Sequence, residues 1–128
     1  MRPVLIQKIL AVAAVTAIVC TIPAGAHHSH GNYIIDKYTL LEGMVREVHW
    51  INPHTWIYLE VEDESGKPAL WALEGGSIAA VTNRGWERDD IVAGDSIKVR
   101  CHQLRDLSKG CLLGFVTTED GIVDREFD

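Results

Sequence analysis

From Thr39 onward the chain alternates apolar and polar positions with a period of two, which is the signature of half-buried strands. The clearest case is Thr55 to Asp63, where Ile57, Leu59 and Val61 fall on one face and Trp56, Tyr58, Glu60 and Glu62 on the other. Ala69 to Glu74 follows after the turn-forming "ESGKP", and Ser96 to Leu104 repeats the pattern with Ile97, Val99 and Cys101 against Ser96, Lys98 and Arg100. Cys111 to Thr118 supplies a fifth run, and the tail "EDGIVDREFD" has room for a short edge strand. The first run, Thr39 to Trp50, changes parity: Leu41, Gly43 and Val45 share one face, but Val48 and Trp50 share the other. A one-residue slip of this kind predicts a β-bulge, and Gly43 permits a sharp bend. A long, bent first strand can pair at both of its ends.

Between the third and fourth runs, Ser77 is placed to cap a short helix through Arg84, with Ile78 and Val81 inward and Gly85 as its stop. Three strands, a helix and two strands, with a bent first strand, predict an all-β fold with one short helix: an OB-like five-stranded small barrel. The alternative is an open, sandwich-like sheet.

Ahead of the barrel the pattern is different. Met1, Arg2 and Lys8 form a basic start, and Ile9 to Ile22 is apolar apart from Thr16 and Thr21. That run is short for a bilayer span, which needs about 20 apolar residues, and it has the length of a signal-peptide core. Ala24 and Ala26 are small residues at the two positions a signal peptidase reads, so cleavage is expected between Ala26 and His27. Retention as a membrane anchor is the alternative. The expected organisation is a signal peptide over residues 1–26, a polar arm over 27–38 and the β domain over 39–128, in a periplasmic or secreted protein with no membrane attachment after cleavage.

The chain carries 12 basic and 18 acidic residues, a net charge of −6; loss of Arg2 and Lys8 leaves 10 basic residues and a net of −8. An acidic surface repels polyanions, which argues against nucleic acid as a partner. Beyond the leader, Cys101 and Cys111 remain. In an oxidising compartment they can pair; two buried free thiols are the equal alternative.

Three of the six histidines, His27, His28 and His30, stand directly behind the expected cut. Cleavage before His27 would give one residue both a free α-amine and an imidazole, a chelate suited to Cu(II), which prefers tetragonal nitrogen donors. The competing reading is a solvated terminus without a role. A second constellation is "HWINPHTW": Pro53 makes it a loop between the first two strands, and His54, Trp56 and Tyr58 then share the outward parity. Such a stripe is a candidate stacking face for an envelope protein or small ligand; the alternative is that the arm or helix covers it as a second small core. His102 also has outward parity. Nothing points to catalysis: there is no phosphate-binding glycine loop, nucleophile elbow or C-x-x-C pair, and the carboxylates at Glu60 to Glu64 read as a solvated face. A non-enzymatic binding domain is expected. Metal gains if His27 or His28 can lie within a few ångströms of His54 or His102; the interaction module gains if the arm is loose and the aromatic face open.

The motifs A-H-H-S (Ala26 to Ser29), E-G-x-V (Glu42 to Val45), W-x-N-P-H (Trp50 to His54), G-W (Gly85-Trp86) and G-D (Gly94-Asp95), with Trp71 in the third strand, resemble a family of small exported bacterial proteins classified only as a domain of unknown function. The resemblance spans His27 to about Gly121. It implies export and a compact β fold and supplies no activity. Cys101 and Cys111 lie outside its pattern.

Overall fold

A computed structural model describes residues 30–128. Its strands are β1 (Thr39–His49), β2 (Trp56–Glu62), β3 (Pro68–Glu74), β4 (Ser96–Gln103), β5 (Gly110–Thr118) and β6 (Arg125–Glu126), with one helix, α1 (Ile78–Asn83), between β3 and β4. The order across the sheet is β3-β2-β1-β4-β5-β6, and a parallel pairing of β3 with β5 closes the first five strands into a barrel. This is the OB-like arrangement expected from the strand order.

Closure depends on β1 serving two neighbours. Its first half, Thr39 to Met44, pairs with β4, and its second half, Met44 to His49, pairs with β2. The β1–β2 register shifts between Val45 and Glu47. There Arg46 is the extra residue, at the parity change read from the sequence, and its guanidinium meets Glu60 on β2 at 2.6 and 3.0 Å. The bulge increases local twist, so one strand can turn from one sheet edge to the other.

The inward alternation fills the barrel. Val45, Ile57, Leu59, Leu73, Ile97, Val99 and Val116 are essentially inaccessible, and burial of such apolar area, at about 25 cal/mol per Å², is the main stabilising term. Helix α1 begins where Ser77 Oγ accepts from the Ala80 N–H at 3.1 Å and stops ahead of Gly85, whose φ of +86° suits glycine. Val81 of this helix, Trp86 just beyond it and Phe127 extend the same core; the Trp86 indole N–H donates to the Glu126 carbonyl at 2.7 Å.

The two cysteines are paired. Cys101 and Cys111, both fully buried, form a disulfide linking β4 to β5.

Candidate functional site

The described residues before β1, from His30 on, are fastened to the barrel. His30–Asn32 is one turn of 3-10 helix, and Tyr33 then bridges to Leu104 at the end of β4. The Ile34 N–H donates to the Gln103 carbonyl at 2.8 Å, the Arg105 N–H to Asn32 at 2.9 Å, and Arg105 Nε to Gly31 at 2.8 Å. Of the large apolar side chains between His30 and Tyr38, Tyr33 is the buried one, while Ile35 and Tyr38 are exposed. Its burial holds the His30–Asn32 turn beside the end of β4.

The phenol of Tyr33 donates a hydrogen bond to Oε2 of Glu74, the last residue of β3. Burial pushes the Tyr33 hydroxyl well above the usual phenol range, and the hydrogen bond and charge of Glu74 add to the shift. The other carboxylate oxygen of Glu74 lies 3.2 Å from Nδ1 of His54, which is also 3.1 Å from the Gly75 carbonyl. A carbonyl can only accept, so in this geometry Nδ1 carries the proton. His54 sits in the β1–β2 loop, whose Asn52 side chain accepts from the Ile78 N–H at the start of α1.

Asp128 borders two clefts. One is lined by Asn52, Pro53, His54 and the Gly76–Ser77 turn; the other by His30, Tyr38, His102 and the β5 segment around Gly114. Burial pushes the Asp128 carboxyl up; His30 opposes this, Glu74 adds to it, and His54 and Arg84 oppose it. The ring of His102 stacks on Tyr38 with centroids 4.4 Å apart, and its Nδ1 lies 2.8 Å from the Lys37 carbonyl and 3.1 Å from that of Ile34.

Of the arm histidines, His30 is exposed and borders the second cleft; His27 and His28 lie outside the described residues. His54, Trp56 and Tyr58 share a parity as expected, and each has its own neighbours. His54 turns to Glu74 and Gly75, whereas Tyr58 packs edge-on against His49 at 5.0 Å, and both Trp56 and Tyr58 are half-buried. Among the described residues, no three histidine, cysteine or carboxylate side chains are gathered closely enough to hold an ion.

Sequence reasoning passed over Tyr33 and Glu74. Tyr33 sits in an irregular stretch with Ile34, Ile35 and Tyr38, where no periodicity marks which side chain is buried, and Glu74 has the outward parity of an ordinary solvated carboxylate. It also passed over an exposed cluster on β4 and β5, where the Arg100 guanidinium lies over Phe115 (4.3 Å) and Tyr38 (4.9 Å) while binding both oxygens of Asp124 at 2.8 Å. The outward parity of Arg100 was its only signal.

Fold and site together define a small OB-like barrel with a fastened, histidine-bearing N-terminal segment. The chain belongs to a family of unknown function (DUF6152), whose model matches residues 14–113. No curated protein and no solved structure matches it.

Proposed function

We propose that the protein is an exported, non-catalytic binding domain that takes up copper, or another late transition metal, through His27, His28 and His30. One observation carries the reading. Glu74 ties Tyr33 of the N-terminal segment to His54 of the barrel, so the chain leading back to His28 and His27 starts beside a histidine-bearing end of the barrel. A terminus without a role needs no such anchorage. The donor chemistry fits as well: imidazoles, with the α-amine that cleavage before His27 would add, suit Cu(II) and exclude the hard cations that want oxygen ligands. The interaction-module reading, with an envelope protein or small ligand on His54, Trp56 and Tyr58, is weaker, because His54 is already engaged by Glu74 and the Gly75 carbonyl and both rings are half-covered.

The test begins with the intact mass of the exported protein, expected to match residues 27–128. Cu(II) titration of that form should give an affinity that drops sharply when one alanine is left ahead of His27, since the extension keeps every imidazole but moves the amine. An A-H-H start can chelate copper through its third-position histidine and backbone nitrogens, so the His27→Ala/His28→Ala form serves as the control. Acidification should weaken binding between about pH 8 and pH 6, as protons compete for the amine and the imidazoles. If the native, extended and doubly substituted proteins bind alike, the arm site is wrong.

A further inference from the structure

We propose that the outer face of the β1–β4–β5 part of the sheet is a self-association surface, on which a second copy of this chain packs across a two-fold axis. The strand register builds the face. Leu40 on β1 stands opposite Arg100 on β4, and Arg100 opposite Phe115 on β5; in the next row Glu42 stands opposite Lys98, and Lys98 opposite Thr117. Leu40 is 72% exposed, and Tyr38 and Met44 are exposed along the same side of the chain. Single exposed apolar residues are ordinary, but a grouped set marks a place of contact. Beside Leu40 runs a groove of about 380 Å³, lined in part by Leu41, Val99 and Phe115. The face therefore offers both a projecting leucine and a recess to receive one, as a two-fold contact between identical surfaces requires.

Charge decides which partner fits. The chain carries a net charge of −6, so two copies repel unless they meet where the charge is balanced. On this face it is balanced: Lys98 Nζ lies 3.4 Å from Glu42, and Arg100 binds Asp124 at 2.8 Å, two cations against two anions. The β2–β3 hairpin is the contrast, because Glu60, Glu62, Asp63 and Glu64 there outnumber Arg46, Lys67 and Lys109. A strongly charged partner of either sign would be repelled by half of the charges around Leu40, whereas a copy of the same face matches each sign with its opposite. The Lys98 and Glu42 side chains remain 67% and 69% exposed, so each can turn to the opposite charge of the other copy. Arg100 needs no such freedom. It lies over Phe115 at 4.3 Å and Tyr38 at 4.9 Å while holding both Asp124 oxygens. That plane is ordered before contact, so covering it costs little side-chain entropy.

The experiment is sedimentation equilibrium of the exported protein over a wide range of concentration, with a chelator present so that metal plays no part in the result. The mass is expected to rise from one chain to two. Leu40→Glu should raise the concentration of half-dimerisation roughly tenfold or more, because it removes the apolar contact and sets like charges against each other. Lys98→Glu should also weaken pairing by making each face negative. Lys98→Glu/Glu42→Lys should restore it, since the reversed pair is again self-complementary. On the unsubstituted protein, dilution should shift the amide resonances of Leu40, Lys98 and Phe115 and leave those of Tyr58 and Trp71 in place. That measurement stands even if a substitution impairs folding. A single-chain mass at every concentration would overturn the proposal and leave the face to a different protein. Dimers untouched by Leu40→Glu, or dilution shifts centred on Tyr58 and Trp71, would place the contact elsewhere and overturn it equally. Failure of the double variant to recover would remove the charge matching on which the choice of a second copy rests. None of these outcomes bears on copper binding by the arm.

Discussion

Tyr33 and His54, 21 residues apart in the chain, are held by the two oxygens of one carboxylate, that of Glu74. The contact joins the N-terminal segment, the β1–β2 loop and the end of β3 in a single polar unit with no buried side-chain polar atom left unbonded among the described residues. Tyr33→Phe keeps the buried ring and removes only the hydroxyl. Its expected cost is about 1–3 kcal/mol, the range for leaving a partly buried acceptor short of its donor, read by urea denaturation. The pH dependence has a definite sign. An unfolded tyrosine ionises near pH 10, whereas burial and Glu74 keep the folded Tyr33 hydroxyl protonated well above that. The stabilisation from Tyr33 is therefore fully present below about pH 10 and is lost as pH rises beyond it. The stability gap between native protein and Tyr33→Phe should be steady from pH 7 to 9 and narrow above pH 10. A gap that widened there would refute the buried-phenol account.

The two faces of β2 give a sharper comparison. Leu59 is fully buried in the barrel and its neighbour Tyr58 is half-buried against His49. Leu59→Ala should cost about 2–5 kcal/mol through lost burial and a cavity, and Tyr58→Ala markedly less. Equal losses, measured by denaturant titration, would mean that the outer face is packed as firmly as the core and would remove what remains of an open binding platform there.

The difference between these residues and the site explains what could be read from the sequence. Parity along β2 and β4, the slip at Arg46 and the cap at Ser77 are local signals, carried within a few residues by the period of a strand or by the chemistry of a helix start. They were enough to order the barrel. The Tyr33–Glu74 contact joins positions 41 residues apart, and His102 reaches carbonyls 65 and 68 residues away. Those pairings exist only because closure brings the ends of β3 and β4 to the arm. Single-residue polarity says nothing about them. The disulfide falls between the two cases: cysteine count allowed it, but only the β4–β5 register places Cys101 and Cys111 within reach of each other.

Gly43 shows how a correct local expectation can have a second cause. The sequence suggests a bend, but in the barrel a Cβ at this position would lie 2.1 Å from the Glu60 carbonyl oxygen, with no flexible side chain to give way. Gly43→Ala must push β1 away from β2 just beside the bulge. A loss of about 1–3 kcal/mol or more is expected, as for overpacking elsewhere, against under about 0.5 kcal/mol for Glu42→Ala on the exposed side of the same strand. Thermal melts of the pair separate the two explanations. A bend alone would leave Gly43→Ala only mildly destabilised.

The Cys101–Cys111 link closes a loop over a separation of 10 residues between adjacent strands. A crosslink of that span restricts the unfolded chain by about 2–3 kcal/mol in the chain-entropy account. Because both sulfurs are buried, replacement by two alanines also forfeits packing in the core. Cys101→Ala/Cys111→Ala should therefore be destabilised by at least about 2–3 kcal/mol in urea relative to the oxidised protein. Material made under oxidising conditions should be two hydrogens lighter than the dithiol form by intact mass, and reductant should act slowly until denaturant exposes the bond, since exchange needs a thiolate to reach a sulfur. Rapid reduction of the native protein would place the disulfide at the surface, contrary to its burial between β4 and β5. Equal stability of the oxidised and doubly substituted proteins would show that the β4–β5 ladder and the packing around it already hold this end of the barrel without the crosslink.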